Sequence, residues 1–460
     1  MRDGNYGEFS TKQAQQMYCR MMSDKIARSS QIDSSLYEVH DVKRGLRNSN
    51  GTGVCVGLTK IGCVEGYDII DGKKTAVEGR LLYRGINVQD LVDGCLAEHR
   101  SGYEETSYLL LFGELPNKIE LEIFKDYLGE RRELPFSFVR DNILTAPSLN
   151  IMNKLARCIL SFYSFDDNPD DLSVENVLRQ SIDLIARMPA LICYGYQAKL
   201  SYDKSASLHF HRPLPNLSTA ENVLRMIRPM GTYTELEATL LDICLIIHAE
   251  HGGGNNSAFT THVISSSGTD TYAAISAAVG SLKGPKHGGA NIKVVQMMED
   301  MRKHVKDVSD RKAVDKYFID LMKGKHGDRT GLLYGFGHAV YTKSDPRAVI
   351  LKKMAKKLAA HKDLMEEFEL YDYLEQNASE LYFRAKGIER EMMANVDLYS
   401  GFVYSALGIP TEISTPLFAV ARISGWCAHR LEELYMAGKI MRPAYIDISD
   451  HIVYTPLDER

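Results

Sequence analysis

The sequence predicts a mainly α-helical protein with a small β element near its N-terminus, and three observations carry that prediction. Beyond about residue 86, apolar residues recur at helical spacing through most of the chain. One such stretch, 236–251, is apolar almost all round, which marks a helix in the middle of a protein. Strand-like patterning is confined to residues 54–64 and 79–85. Composition shifts divide the chain into an N-terminal extension (1–45), the first part of a large helical domain (46–291), a smaller lysine-dense domain (292–394), and a return to the large domain ending in a C-terminal arm (395–460).

Taken in order, residues 1–45 are polar, with a weak helical pattern at 12–26. After the strand region, helical periodicity runs through 105–112, 121–127, 151–162 and 174–194. Residues 166–171 and 201–218 read as irregular connections, the second with two prolines and two histidines. The helix at 236–251 ends in His248-Ala-Glu-His251 and three glycines, and 272–282 is rich in small residues that suit close packing. Asp345-Pro346 reads as a helix start, because aspartate caps well and proline fits a first turn. The apolar period returns over 417–436.

Bulk properties exclude several classes. The chain has 460 residues, 25% of them charged, and a net charge of -5, which leaves no electrostatic footprint for nucleic acid. No stretch approaches the roughly 18 apolar residues of a membrane span, and the N-terminus lacks an apolar signal core. None of the eight cysteines forms a CxxC pair, and Cys244 and Cys427 lie in apolar runs, so the chain reads as soluble and cytoplasmic with reduced thiols.

The residues that could carry chemistry sit at glycine-rich turns and helix ends. They are His248 and His251, His287 in GPKHGGAN (284–291), His338 in GFGHAVYTKSDPR (335–347), and Asp397 in NVDLYSG (395–401). Arg347, Arg422 in ARISG and Arg442 in MRP are cations suited to gripping carboxylates through paired hydrogen bonds. Taken singly, each has a plainer reading: a core histidine, a helix cap, a surface arginine. His248 and His251 also suggest zinc, but HAEH is not HExxH and no cysteine pair supports a metal. The glycines at 252–254 lack the Lys-Ser/Thr ending of a phosphate loop, and no GxGxxG follows a strand.

Taken together and in this order, those motifs resemble the citrate synthase family, as do GRLLYRGI around Arg84 and SYLLLFGELP at 107–116. The resemblance covers about residues 50–455. It implies a two-domain helical fold, a homodimer, and an acyltransferase of the tricarboxylic acid cycle. Such an enzyme condenses acetyl-CoA with oxaloacetate, with no tightly bound cofactor and no metal. Carried over residue by residue, it implies His287, His338 and Asp397 as catalytic. His251, Asn255, Arg347 and Arg422 become substrate-binding, with His248 a nearby companion and Arg442 acting across a dimer interface. Leu333, Gly335, Phe336, Gly337 and Asn395 would contact CoA.

Two departures stand out: Lys286 replaces a commonly apolar residue before His287, and Thr342 stands where a basic residue often contacts CoA phosphate, with Lys343 next. A 2-methylcitrate synthase acting on propionyl-CoA would share all these residues. A metal-dependent hydrolase and a non-catalytic relative are the rival classes.

Overall fold

The computed structural model describes residues 12–70, 73–436 and 438–460. Among them the helical reading holds, and the only sheet is three-stranded: β1 (Gly62–Ile70), β2 (Lys73–Tyr83) and β3 (Ile86–Asn87). β2 and β3 are antiparallel, with Leu82 opposite Asn87 and Tyr83 opposite Ile86. The first strand begins later than the 54–64 pattern suggests. Val56 and Leu58 are 49% and 88% exposed, so the alternation there has no core face to bury.

The described residues fall into two units, one comprising 12–58 with Lys73 and Lys74, the other 59–70 with 75–460. Within the first, helices Lys12–Ser29 and Ser35–Val39 bury no residue. The second holds the core. Its site region is built by α1 (Val174–Lys204), α2 (Glu235–His248), α3 (Asn256–Ser265), α4 (Thr271–Lys283), α5 (Ala290–His304), α6 (Pro346–His361), α7 (Val396–Ala406) and α8 (Thr411–Tyr435).

α2 starts with a reciprocal capping box between Thr234 and Glu237, and every residue from Leu240 to His248 is buried. Each fully buried leucine or isoleucine contributes roughly 1.5–3 kcal/mol, so α2 is fixed by packing on all sides. α8 packs against α1 and α2 and buries Arg422, Trp426, His429 and Arg430. A helix that buries two arginines and a histidine needs polar partners inside the protein. No helix among the described residues is long and apolar enough to cross a membrane.

The sheet supports the loop ahead of α6. A Cβ on Gly66 would lie 2.5 Å from Tyr341 Cα, and one on Gly79 would lie 2.1 Å from the Ser344 carbonyl oxygen. The sheet backbone therefore touches the loop backbone directly. Thr342 donates its hydroxyl to the Gly66 carbonyl, and Gly79 N–H donates to Ser344 Oγ at 3.2 Å. Thr342, the departure noted in the sequence, thus bonds the sheet.

Candidate active site

α2 ends where the site begins. Arg422 of α8 donates Nε to the His248 carbonyl at 2.6 Å, satisfying an acceptor that the helix end leaves free. His248 is buried and donates Nδ1–H to the Cys244 carbonyl at 2.7 Å, and burial together with nearby Arg347 pushes its pKa down to about 3. Tyr83 holds the following turn by donating to the Ile246 carbonyl at 2.9 Å and accepting from Glu250 N–H at 3.3 Å. His251 lies just beyond. Burial, then the charge of Arg347, hold its pKa well below the ordinary value, so it is a neutral imidazole. Its ring centroid is 5.2 Å from that of His338 and 5.6 Å from that of Tyr341.

Asn255 caps α3, accepting from Ala258 N–H at 3.1 Å and donating its amide to the Gly252 carbonyl. Both ends of this side chain thus shape the loop. Two residues on, Ser257 orients His287. The Ser257 N–H donates to His287 Nε2 at 3.3 Å, and Ser257 Oγ lies 2.9 Å from the same nitrogen. An amide N–H can only donate, so Nε2 is the acceptor and Nδ1 carries the proton. Trp426 Nε1–H anchors Ser257 Oγ at 3.0 Å. His287 sits in the turn between α4 and α5, three residues before the first helical residue, Ala290. Burial, then Arg422, lower its pKa to about 4. It is a neutral donor.

His338 is set the opposite way round. Its Nδ1 accepts from the N–H groups of Val340 and Tyr341, both at 3.1 Å, which puts the proton on Nε2. Tyr341 stacks on it at 4.5 Å between centroids. The preceding loop is tied down by a bridge between Phe336 and Ala394, by Gly337 N–H to the Met393 carbonyl at 2.8 Å, and by Asn395 Nδ2 to the Gly337 carbonyl at 2.9 Å. Gly335 has φ 84°, and a Cβ there would stand 3.1 Å from Leu398 and Val294, so this glycine lets the loop pack on α5 and α7. Leu333 is buried beside the same core and Phe336 packs against it.

Asp345 caps α6 with Pro346 in its first turn, as expected. Its carboxylate also grips the buried Arg347 side chain through Nε at 3.0 Å and Nη2 at 2.8 Å, and accepts the Val396 N–H of α7 at 3.1 Å. One carboxylate therefore locks the starts of α6 and α7 together. Asn395 caps α7, and Asp397 is its second residue. Burial raises the Asp397 pKa to about 6, with Arg347 pulling it back and Asp345 pushing it up. Among the described residues none hydrogen-bonds its carboxylate, so this is a free base poised near neutral pH.

Three buried polar atoms of this cluster lack a partner among the described residues: Arg422 Nη2, His251 Nε2 and Tyr341 Oη. Burial pushes the Arg422 pKa down to about 10. A guanidinium N–H, an imidazole nitrogen and a hydroxyl left unpaired around a desolvated cation suit a small anionic, oxygen-rich ligand. Arg442 does not join the cluster. It is exposed in the extended segment after α8. Ser257, Tyr341 and Asp345 are the positioning residues that motif reading assigned no part in the chemistry. Asp345 alone gave a signal, as a helix cap.

The model of the citrate synthase C-terminal domain matches residues 50–444. A citrate synthase from Acidithiobacillus ferridurans is 36% identical over 80% of this chain and 89% of its own length. A 2-methylcitrate synthase from Shewanella oneidensis is 29% identical over the same shares. Among solved structures, the citrate synthase from Thermoplasma acidophilum, in ternary complex with carboxymethyl coenzyme A and oxaloacetate, superimposes with a TM-score of 0.73 at 27% identity, covering 91% of this chain and 99% of that one. The helical frame, the ordered motifs and these matches lead to one assignment: the chain belongs to the citrate synthase family.

Proposed function

We propose that the protein condenses acetyl-CoA with oxaloacetate and water, giving citrate and CoA. The observation that carries this reading is the conjunction of one unpaired carboxylate, Asp397, raised to about pKa 6, with two imidazoles whose protons are assigned by backbone donors. Asp397 takes a proton from the thioester methyl group. His287 Nδ1–H donates to the thioester oxygen as the enol or enolate forms there. The new carbanion-like carbon attacks the oxaloacetate ketone, whose oxygen is polarised by His338 Nε2–H. Water then cleaves the citryl thioester, releasing CoA as its thiol.

Arg422 Nη2 and His251 Nε2 face the substrate carboxylates, with Arg347 beside them. Asn255 serves by shaping the loop around His251. CoA lies along Leu333, Gly335, Phe336, Gly337 and Asn395, in a smaller domain (292–394) that closes over the large one. Arg442 reaches the site of a partner subunit in a homodimer. The eight free thiols support a reducing, cytoplasmic compartment. No metal takes part in these steps.

Similarity to a 2-methylcitrate synthase supports a second reading with propionyl-CoA. One methylene is worth only about 1–3 kcal/mol of discrimination, so both thioesters are candidates. The test is CoA-thiol release with oxaloacetate, comparing kcat/KM for the two. A higher value for acetyl-CoA supports the proposal; a higher value for propionyl-CoA replaces it with the second reading, and no release with either rejects both.

A further inference from the structure

Joined to the turn that carries His251 through Glu250 and Gly253 lies a second cluster that the condensation does not use. His262 of α3 and His429 of α8 face each other, with His262 Nε2 3.0 Å from His429 Nδ1 and ring centroids 4.9 Å apart at 66°. Each ring gives its other nitrogen to a carboxylate: His262 Nδ1 to Glu433 at 2.8 Å, His429 Nε2 to Glu250 at 3.0 Å. The outer nitrogens donate to the carboxylates, and the inner two share one proton in the hydrogen bond between them, a proton that a metal ion would displace. Glu432 completes the set. Its Oε1 is held by the Lys60 N–H at 2.8 Å, while Oε2 is buried without a partner, 4.0 Å from His429 Nδ1.

Two imidazole nitrogens and an unpaired carboxylate oxygen thus converge on one buried spot where a cation can replace the shared proton. We propose that His262 Nε2, His429 Nδ1 and Glu432 Oε2 form three ligands of a binding site for a borderline divalent cation of the zinc type, with water in the fourth position and no part in the condensation. Tetrahedral ligands with bonds near 2.0–2.2 Å stand about 3.3–3.5 Å apart, and the observed spans of 3.0 and 4.0 Å bracket that separation. The carboxylates behind both histidines are the arrangement that fixes imidazole orientation and raises its basicity in metal sites. Gly253 lines the same space, a Cβ there standing 3.5 Å from His429 Cε1 and 3.6 Å from His262 Nε2.

A second histidine–carboxylate group, Asp300, His304 and His326, lacks these features. Asp300 Oδ2 already accepts from Tyr317 and Gly327, and His304 Nδ1 bonds its own helix. Bound metal at the first group would tie α3 to α8 and, through Glu250, brace the turn that carries His251.

The test uses the tag-free, full-length protein, stripped with a chelator and titrated with Co2+. One Co2+ per chain is expected, with the visible absorption of a tetrahedral site, displaced by Zn2+. His262→Ala and Glu432→Gln should abolish that absorption, Glu433→Gln should weaken binding by about 10–100-fold, and His304→Ala should leave it unchanged. Circular dichroism checks that each variant is folded. Absence of saturable Co2+ binding by the folded wild-type chain overturns the proposal, as does binding that survives both His262→Ala and Glu432→Gln or disappears with His304→Ala.

Discussion

Asp397 shows how a single residue carries both chemistry and a stability cost. Its folded pKa near 6 lies above the 3.8 of an ordinary aspartate, so folding favours its neutral form. The stability linked to that proton is fully present below the unfolded pKa and is lost as pH rises through the folded value. Asp397→Asn should therefore stabilise the protein against urea by roughly 2–3 kcal/mol near pH 8, and by much less near pH 4. In the active protein the same group sets an acid limb in kcat/KM with a midpoint of about 6. Arg422 makes a complementary case, with Nη2 buried and unpaired. Oxaloacetate should raise the melting temperature, and Arg422→Gln should weaken its binding by about 10–100-fold, the worth of one charge-assisted hydrogen bond. An unchanged affinity by calorimetry would remove Arg422 from the site. At this scale the sequence showed the reacting types, because histidine and aspartate at glycine turns and helix starts are unusual together. It did not show Ser257 or Tyr341, whose parts depend on contacts between distant segments.

The helix starts were the most legible elements. Asp345-Pro346 opens α6 where cap chemistry predicts it, because capping is local, whereas the cap of α7 is Asn395 and not Asp397. The strands were less so, since a strand is defined by its partner and the apolar residues at 56 and 58 have none. The sequence also could not reveal that the sheet braces the His338 loop through bare backbone at Gly66 and Gly79. Gly79→Ala would drive a methyl group into the Ser344 carbonyl. We expect a loss of about 1–3 kcal/mol in urea denaturation, with a fall in kcat because the loop between His338 and Arg347 shifts. Full activity in this variant would show that the sheet does not position the loop.

For the whole molecule, the helical frame was legible from periodicity, whereas subunit composition of the site was not, because nothing in one chain brings Arg442 to the other residues. If Arg442 acts across a dimer, mixing inactive Arg442→Ala and Asp397→Asn chains under exchange conditions should restore part of the wild-type rate, since a mixed pair holds one intact site. Mixed dimers without activity would place Arg442 elsewhere. The central claim, condensation driven by Asp397 as base, is tested most directly by oxaloacetate-dependent CoA-thiol release from acetyl-CoA by wild-type and Asp397→Asn proteins at about pH 8. The account predicts steady turnover by the wild type and a rate lower by about 10²–10⁴-fold in the folded variant. A variant within tenfold of the wild type would contradict it.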